Sequence, residues 1–428
     1  MKRAKEALVL ILAGGVGSRL NILVEKRAKP AVPFAGIYRI IDFSLSNVMN
    51  SGLKKVGILT QYKPLSLMDH LGMGDAWDFS GRKRGIAILP PRTGESESDW
   101  YKGTADAVRR NIDFLESNPS DEVVILSGDH IYNMEFDAMI EFHRSKSADV
   151  TVAMMVVPRS EIHQFGSGIV DKNDRVIEWE EKPKEPRTNL ASMGIYVFDY
   201  DYLLDSLKRD KSEVDFGMHI LPRAIEEGNV FAYPFYGYWR DVGTIQAYWE
   251  ANMDVLKKDS GFSPQKWEIR TNVEGGTRIS DRAPARFGEN CTLDTCLVSA
   301  GSKIEGTVIN SIIAPGVIVE EGATVNNSII FDDCLIKKGA TVDLAILDKR
   351  VTVGEGAVIG HGENLKEANH LKPSHLYTGI TLVGKGAEVP AKQKVGRNCV
   401  ISGSVKETAY PTTSLEDGET LFPNGEVS

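Results

Sequence analysis

Between residue 7 and about residue 250, short apolar runs alternate with stretches in which apolar residues recur every three or four positions. ALVLILA (7–13), VGILT (56–60), VVILS (123–127) and VTVAMMVV (150–157) predict strands, because short continuous apolar runs suit strands covered on both faces. Ala105, Val108, Ile112 and Leu115 fall three, four and three apart and predict a helix, with Thr104 as its N-cap. Strands and helices alternating in this way predict an α/β domain with a largely parallel sheet. From 258 to 285 the texture turns irregular, and Gly261, Pro264, Gly275, Gly276 and Pro284 mark a linker.

Beyond the linker a different period begins. Val317, Ala323, Ile329 and Leu335 are spaced by six, as are Val319, Val325 and Phe331. Apolar positions at that interval, with Gly and Asn between them, predict a parallel β-helix whose coils stack their aliphatic residues. The period resumes at Val351 and Ala357 and breaks at 361–378, where GHGENLKEANHLKPSHLY must bulge out. The expected division is an α/β domain over 1–257, a linker over 258–285, a β-helix over 286–410 and a polar, loosely packed tail over 411–428. End coils of a β-helix are exposed, so oligomerisation is its expected role. A sharper alternative is an acyltransferase site with His361, His370 or His375 of the bulge as base.

Composition narrows the partners. The 428 residues are 42% hydrophobic and 25% charged, an ordinary globular profile, and exceed what one core usually supports. A net charge of -9 provides no general basic field for nucleic acid or an anionic membrane, so phosphate binding must come from a few placed cations. Lys2, Arg3 and Lys5 before ALVLILA superficially resemble a signal peptide, but the apolar run is seven residues and leads into a glycine loop. A cytoplasmic protein is expected. Cys291, Cys296, Cys334 and Cys399 include no CxxC pair and read as small core hydrophobes.

The first strand runs into Gly14, Gly15, Val16, Gly17, Ser18 and Arg19. Ligands bind at carboxyl ends of strands in such sheets, and glycines let backbone N–H groups approach phosphate oxygens. The loop lacks the third glycine of the dinucleotide fingerprint, where Leu20 stands, and the GK[ST] of a P-loop. Arg19 and, ten residues on, Lys29 would screen a triphosphate and stabilise departing pyrophosphate; the bland alternative leaves Arg27 and Lys29 on a surface loop. In VVILSGDHIY, Asp129 follows a buried-type strand and would hold a hard cation such as Mg²⁺, or simply shape a turn. YWRDVG supplies a second carboxylate, Asp241.

LAGGVGSRL followed by KRAKPAVPF resembles the signature of the sugar-1-phosphate nucleotidyltransferases, and KRAKPAVPFAG with YRIIDFSLSNVMNSG resembles their adenylyltransferase branch. The resemblance covers essentially the whole chain and is densest between 8 and 250. It implies a Rossmann-like nucleotidyltransferase domain followed by a hexapeptide-repeat β-helix. It also implies transfer of AMP from ATP to α-D-glucose 1-phosphate with release of pyrophosphate, for glycogen or related α-glucan synthesis. By the same resemblance Gly14, Gly15, Gly17, Ser18, Arg19, Gly103 and Thr104 bind the nucleotide, and Arg19, Lys29 and Asp129 carry catalysis. Asp129 and Asp241 would clamp Mg²⁺. In VIEWEEKPKEPR, EEKP resembles the element in which Lys182 binds the sugar phosphate and Glu181 a sugar hydroxyl. LASMGIYVFD, WYKGTADAV and HQFG resemble elements giving Ser192 to a hydroxyl and Tyr101 and Gly166 to the sugar phosphate. A homotetramer is implied, with a homologous regulatory subunit as an optional partner.

Two segments depart from the pattern. Ile37 in AGIYR stands where members activated by fructose 1,6-bisphosphate carry lysine, so that effector is not carried over, although Arg27 and Arg39 remain for another anion. DFGMHILP has Met218 and His219 in place of a charged pair, an exchange without a physical account in the sequence. Other readings are a uridylyl-, thymidylyl- or guanylyltransferase, because nothing in charge or spacing reads the base, and a non-catalytic regulatory subunit.

Overall fold

The computed structural model describes residues 7–81, 84–91, 100–275, 279–412 and 414–428; Lys2, Arg3, Lys5 and Gly276 lie outside the described residues. The α/β domain is built on strands β1 (Leu8–Ala13), β2 (Lys55–Thr60), β3 (Gly85–Leu89), β4 (Glu122–Ser127), β5 (His130–Tyr132), β6 (Val150–Val156), β7 (Gly166–Val170), β8 (Val176–Glu181), β9 (Leu190–Asp199), β10 (Val230–Pro234) and β11 (Trp239–Asp241). The main sheet runs β8-β7-β9-β4-β1-β2-β3, with β6 paired to β9 and β10. Strands β1 to β4 pair in parallel, and β9 adds antiparallel to β4 and β6. The central place of β1 follows from its residues: Val9, Ile11 and Ala13 enter one core, and Leu8 and Leu10 enter the core on the other face.

The helix expected behind Thr104 is two short ones, Thr104–Arg109 and Ile112–Glu116. Asn111 breaks it by donating its side-chain amide to the carbonyl of Ala107 at 2.8 Å, competing with helical bonding. Thr104 is also not the cap. Gly103 holds that position, and the Thr104 hydroxyl instead donates to Asp215 at 3.0 Å and accepts from the Phe216 N–H at 3.0 Å.

The C-terminal strands form three parallel sheets, one per face of a β-helix. Equivalent interior positions are Val319, Ile336 and Val353 on the first face, Val325, Val342 and Ile359 on the second, and Ile330 and Leu347 on the third. From Val319 to Val353 the coil is seventeen residues, with one interval of five between two of six, as 319, 325, 330 and 336 show, whereas the coil from Ile304 to Val319 is fifteen. A strict six-residue period slips by one at the third face. Ile329 and Phe331, expected inside the coil, point out of it, Ile330 takes the interior, and Leu335 yields its inward place to Cys334.

The outward row on the third face explains the displaced residues. Ile312, Ile329, Phe331, Ile346, Leu382 and Val400 pack on Leu20, Ile22, Val24, Phe34 and Tyr248 of the α/β domain. Each such side chain withdrawn from water contributes about 1.5–3 kcal/mol. The linker is part of this seam, since Phe262, Trp267 and Ile269 are buried in it. Gly36 has φ 81°, and a Cβ there would stand 2.8 Å from Leu297 and from Ser299 of the β-helix. The Trp249 indole N–H donates to the Asn327 carbonyl at 2.9 Å across the same seam.

The tail over 411–428 is not loose. Thr420–Leu421 pairs in parallel with Val400–Ile401, and Leu415 and Leu421 are buried in the coil interior. The stack of coils thus extends past residue 410, because a few apolar residues in a polar stretch suffice to fill one more coil. Cys334 and Cys399 are buried, and Cys291 and Cys296 pack half-buried against the same core.

One charged contact crosses the seam in full burial. Arg27 grips Asp348 through two bonds of 2.8 and 3.0 Å, with each side chain 3% exposed. Removing one partner of such a pair costs about 3–5 kcal/mol, whereas replacing both with apolar groups restores most of it. Arg27→Met should therefore lower the midpoint of thermal unfolding sharply, and Arg27→Met with Asp348→Leu should recover most of the loss. Equal losses in the single and double variants, measured by scanning calorimetry, would refute this account.

Candidate active site

The site is assembled by a strand pairing that joins distant parts of the chain. Strands β5 and β11 pair antiparallel with Asp241 opposite His130, which places Asp241 beside Asp129. Into the gap between these carboxylates comes Lys29, from the turn Lys29–Ala31. Its ammonium lies 2.8 Å from Asp129 Oδ2 and 3.1 Å from Asp241 Oδ1, and its side chain is 6% exposed. Burial alone would lower the Lys29 pKa, but the two carboxylates outweigh it and raise the value. Burial would likewise raise the Asp129 pKa; Lys29 and His130 overcome that and hold it far below the usual carboxylate range. Ser127 also donates its hydroxyl to Asp129.

The glycine loop leads to the same point. Gly17 has φ 62°, and a Cβ on it would sit 2.9 Å from the Lys29 Cβ, so glycine here is what lets Lys29 pass under the loop. Arg19 lies against Gly243, where a Cβ would touch both its guanidinium and the Asp241 carboxylate. Arg39 steadies the Lys29 turn by donating to the Ala31 carbonyl at 2.8 Å. Arg27 and Lys29 are thus buried rather than surface decoration. Arg27 is occupied by Asp348, and Ile37 is half-buried beside Met73 and Val273 in a surface groove.

Arg19, His130 and Asp241 open onto a cavity of about 1750 Å³ whose other wall carries Thr104, Gly166, Glu181, Lys182 and Ser192. Glu181 is enclosed by glycine, since a Cβ on Gly166 or Gly217 would press within 2.6 Å or 2.4 Å of its carboxylate. That burial raises the Glu181 pKa despite the neighbouring Lys182 charge. Lys182 has φ 48°, in the left-handed region, and its ammonium is 3.8 Å from Glu181 and largely exposed. Ser192 is buried and accepts from the Gly194 N–H at 3.2 Å.

Other predicted residues stand apart from this cavity. The Tyr101 hydroxyl donates to the Leu89 carbonyl at 3.3 Å, and its ring packs on the core beneath β1. Gly103 is extended against Val214, where a Cβ would come within 2.4 Å of a carbonyl. Gly14 and Gly17 are half-buried, and Gly15 and Ser18 are exposed, along the loop between β1 and Arg19. In the bulge, His361 and His370 are exposed, whereas His375 sits close enough to Arg19 to feel its charge.

Several lining residues escaped sequence reasoning. His130 lies 3.5 Å from Asp129 and 3.8 Å from Asp241, packs edge-on to Trp239 at 5.2 Å, and keeps a buried Nδ1 without a partner among the described residues. Tyr196, Asp215 and Trp239 line the same cavity. Asp215 belongs to the unusual DFGMHILP segment, and this explains His219: its Nδ1 accepts the Asp215 N–H at 3.2 Å and shapes the turn, while Met218 faces solvent.

A divalent cation fits the donors at the triad. Mg²⁺ typically takes one or two carboxylates and fills its other positions with water and substrate phosphate. Asp129 and Asp241 are two such carboxylates, and among the described residues no group of three or more His, Cys, Asp or Glu forms a complete protein-only cage.

Comparison with known proteins agrees with this geometry. The family model described as nucleotidyl transferase matches residues 8–258, and one described as GlmU-like, C-terminal hexapeptide matches 283–383. Curated proteins named glucose-1-phosphate adenylyltransferase align over nearly the full length. One from Thermotoga neapolitana is 45% identical over 98% of this chain and 99% of its own. Another from Thermomicrobium roseum is 47% identical over 98% of both, and one from Acetivibrio thermocellus is 42% identical over 99% of both. With glycine loop, buried lysine, paired aspartates and coil stack all in the matched segments, this chain belongs to the nucleotidyl transferase family and, within it, to the glucose-1-phosphate adenylyltransferases.

Proposed function

We propose that the protein transfers the adenylyl group of ATP to α-D-glucose 1-phosphate, releasing pyrophosphate and giving ADP-glucose for α-glucan synthesis. The observation that carries this reading is the Lys29 ammonium held between Asp129 and Asp241, with Asp241 lining a cavity that Lys182 and Glu181 also line. A sugar phosphate oxygen is already an anionic nucleophile. It forms the new bond to the α-phosphorus, the bond from that phosphorus to the bridging oxygen breaks, and the electron pair leaves on pyrophosphate. No covalent enzyme intermediate is required, so alignment and charge neutralisation carry most of the rate.

Roles follow from position and charge. Backbone N–H groups of the glycine loop and Arg19 hold the triphosphate, and Lys29 neutralises charge that builds on the transferring and departing phosphates. Lys182 takes the sugar phosphate, while Glu181 and Ser192 accept sugar hydroxyls. Asp129 and Asp241 would hold Mg²⁺, which when bound supplies positive charge at the phosphates.

Two further features belong to the same reading. No helix among the described residues is long and apolar enough to cross a membrane, and we take the enzyme to act in the cytoplasm. The first coil, with strands Arg286–Phe287, Thr292–Asp294 and Leu297–Val298, pairs on one side alone among the described residues and exposes Phe287 and Leu293. A homotetramer built through this β-helix is the assembly we propose.

Pyrophosphate release from the purified chain across a panel of nucleoside triphosphates and sugar 1-phosphates tests the reaction. ATP with glucose 1-phosphate should be the best pair, and no turnover with it would overturn the reading. It would also favour the regulatory-subunit alternative. Asp129→Asn keeps the side-chain shape but removes a charge, so the fold should persist while kcat falls by about 10²–10³-fold; near-normal turnover would remove Asp129 from the mechanism. Lys182→Ala should raise the KM for glucose 1-phosphate by roughly tenfold and leave the KM for ATP within about twofold. The reverse pattern would contradict its role.

A further inference from the structure

The insertion in the β-helix over 361–378 reaches back to the glycine loop of the other domain. Two openings flank that loop. On one side the large cavity is lined by Arg19 and by Tyr377 of the insertion. On the other a cleft of about 500 Å³ is lined by Val16, Ser18, Leu371 and Lys372. The turn from Leu371 to Tyr377 therefore touches both spaces and cups the loop.

This turn is firmly built. Leu376 is buried in the seam between the domains. The His375 N–H donates to the Lys372 carbonyl at 3.0 Å, and the Asn369 N–H donates to the Leu376 carbonyl at 2.9 Å. Asn369 is itself buried, donating to the carbonyls of Asn398 and Gly418, and its Oδ1 accepts the Lys372 N–H at 3.0 Å. A rigid turn of this kind holds its charged side chains at fixed places beside the loop.

Those charged side chains are unpaired. Among the described residues the side chains of Arg19 and Lys372 make no ion pair or hydrogen bond, and His375 Nδ1 is buried without a partner. Burial pushes the His375 pKa down, and the positive charges of Lys372 and Arg19 push it further. The Asp241 carboxylate lies near Arg19 and Glu25 lines the same cleft as Lys372, but neither cation is paired with them, so both can take up an anion. The glycine loop is common to both openings, so a polyphosphate lying along it has Arg19 on one side and Lys372 on the other.

We propose that the turn Leu371–Tyr377 is the outer wall of the nucleotide site, with Lys372 and His375 binding the distal phosphates of the triphosphate and of the pyrophosphate product. The β-helix then takes part directly in substrate binding, beyond assembly. The inference rests on the nucleotidyltransferase reading, because that reading puts a polyphosphate on the loop.

The test uses the full-length protein with Lys372→Met and His375→Gln, assayed in both directions. Each variant should raise the KM for ATP and, in reverse, for pyrophosphate by roughly tenfold, with the KM for glucose 1-phosphate and the thermal midpoint unchanged. A KM for ATP and pyrophosphate within about twofold of the parent, or an equal rise for every substrate, would overturn the proposal. Should the parent itself show no turnover, the reaction is at fault, and calorimetric titration with pyrophosphate then decides: weaker binding by Lys372→Met supports the wall, and equal or absent binding overturns it. Lys372 is exposed, so that variant decides even where His375→Gln fails to fold.

Discussion

A lysine ammonium buried to the depth of Lys29 is unstable unless negative charge surrounds it. Asp129 and Asp241 provide that charge at 2.8 and 3.1 Å, and much of the α/β domain is arranged so that they can. The pairing of β5 with β11 brings the two carboxylates together, the bare Cα of Gly17 leaves room for the lysine, and Arg39 fixes the turn that carries it. The same three groups that stabilise one another in the free protein are those to which the proposed chemistry assigns the phosphates and the cation. A polyanionic substrate with its cation redistributes these contacts rather than creating them, so the site is charged and ordered before substrates arrive.

The two walls of the cavity divide the labour. The triad, to which the proposed reaction assigns the phosphates, has its charges fixed by mutual pairing. The opposite wall is softer in electrostatic terms: Lys182 is largely exposed in a left-handed turn, while Glu181 lies between Gly166 and Gly217 with its pKa raised by burial. One group of lining residues is paired and fixed in charge, and the other is an exposed lysine beside a carboxylate whose charge burial disfavours.

Much of this was legible in the chain. The four strongest strands stand out because sheet-centre residues are apolar on both faces, Arg19 and Asp129 stand out by their place after a glycine loop or a strand, and Lys29 and Asp241 by the segments KRAKPAVPF and YWRDVG. What was illegible has physical causes. Asn111 ended a helix through a side-chain bond that periodicity does not register, and Thr104 was drawn from capping to Asp215, a partner far along the chain. His130 and Asp215 carry no local signature, since each gains its role from register or from a distant turn. The β-helix was evident but its phase was not. A seventeen-residue coil made of six, five and six reads as a six-residue repeat until the third face, where Ile329 and Phe331 serve a neighbour instead of the interior.

That outward row has a wider consequence. Ordinary coil stacks are greasy within and wettable without, which lets them be cut, lengthened or moved between proteins as spare parts. Here one flank is as oily as the inside, because Ile312, Ile329, Ile346, Leu382 and Val400 form a seam fitted to one particular companion. Severed at the connecting segment, each half would present a sticky strip to water, so the two halves were tailored as a single garment and cannot be swapped with those of another enzyme without resewing that edge.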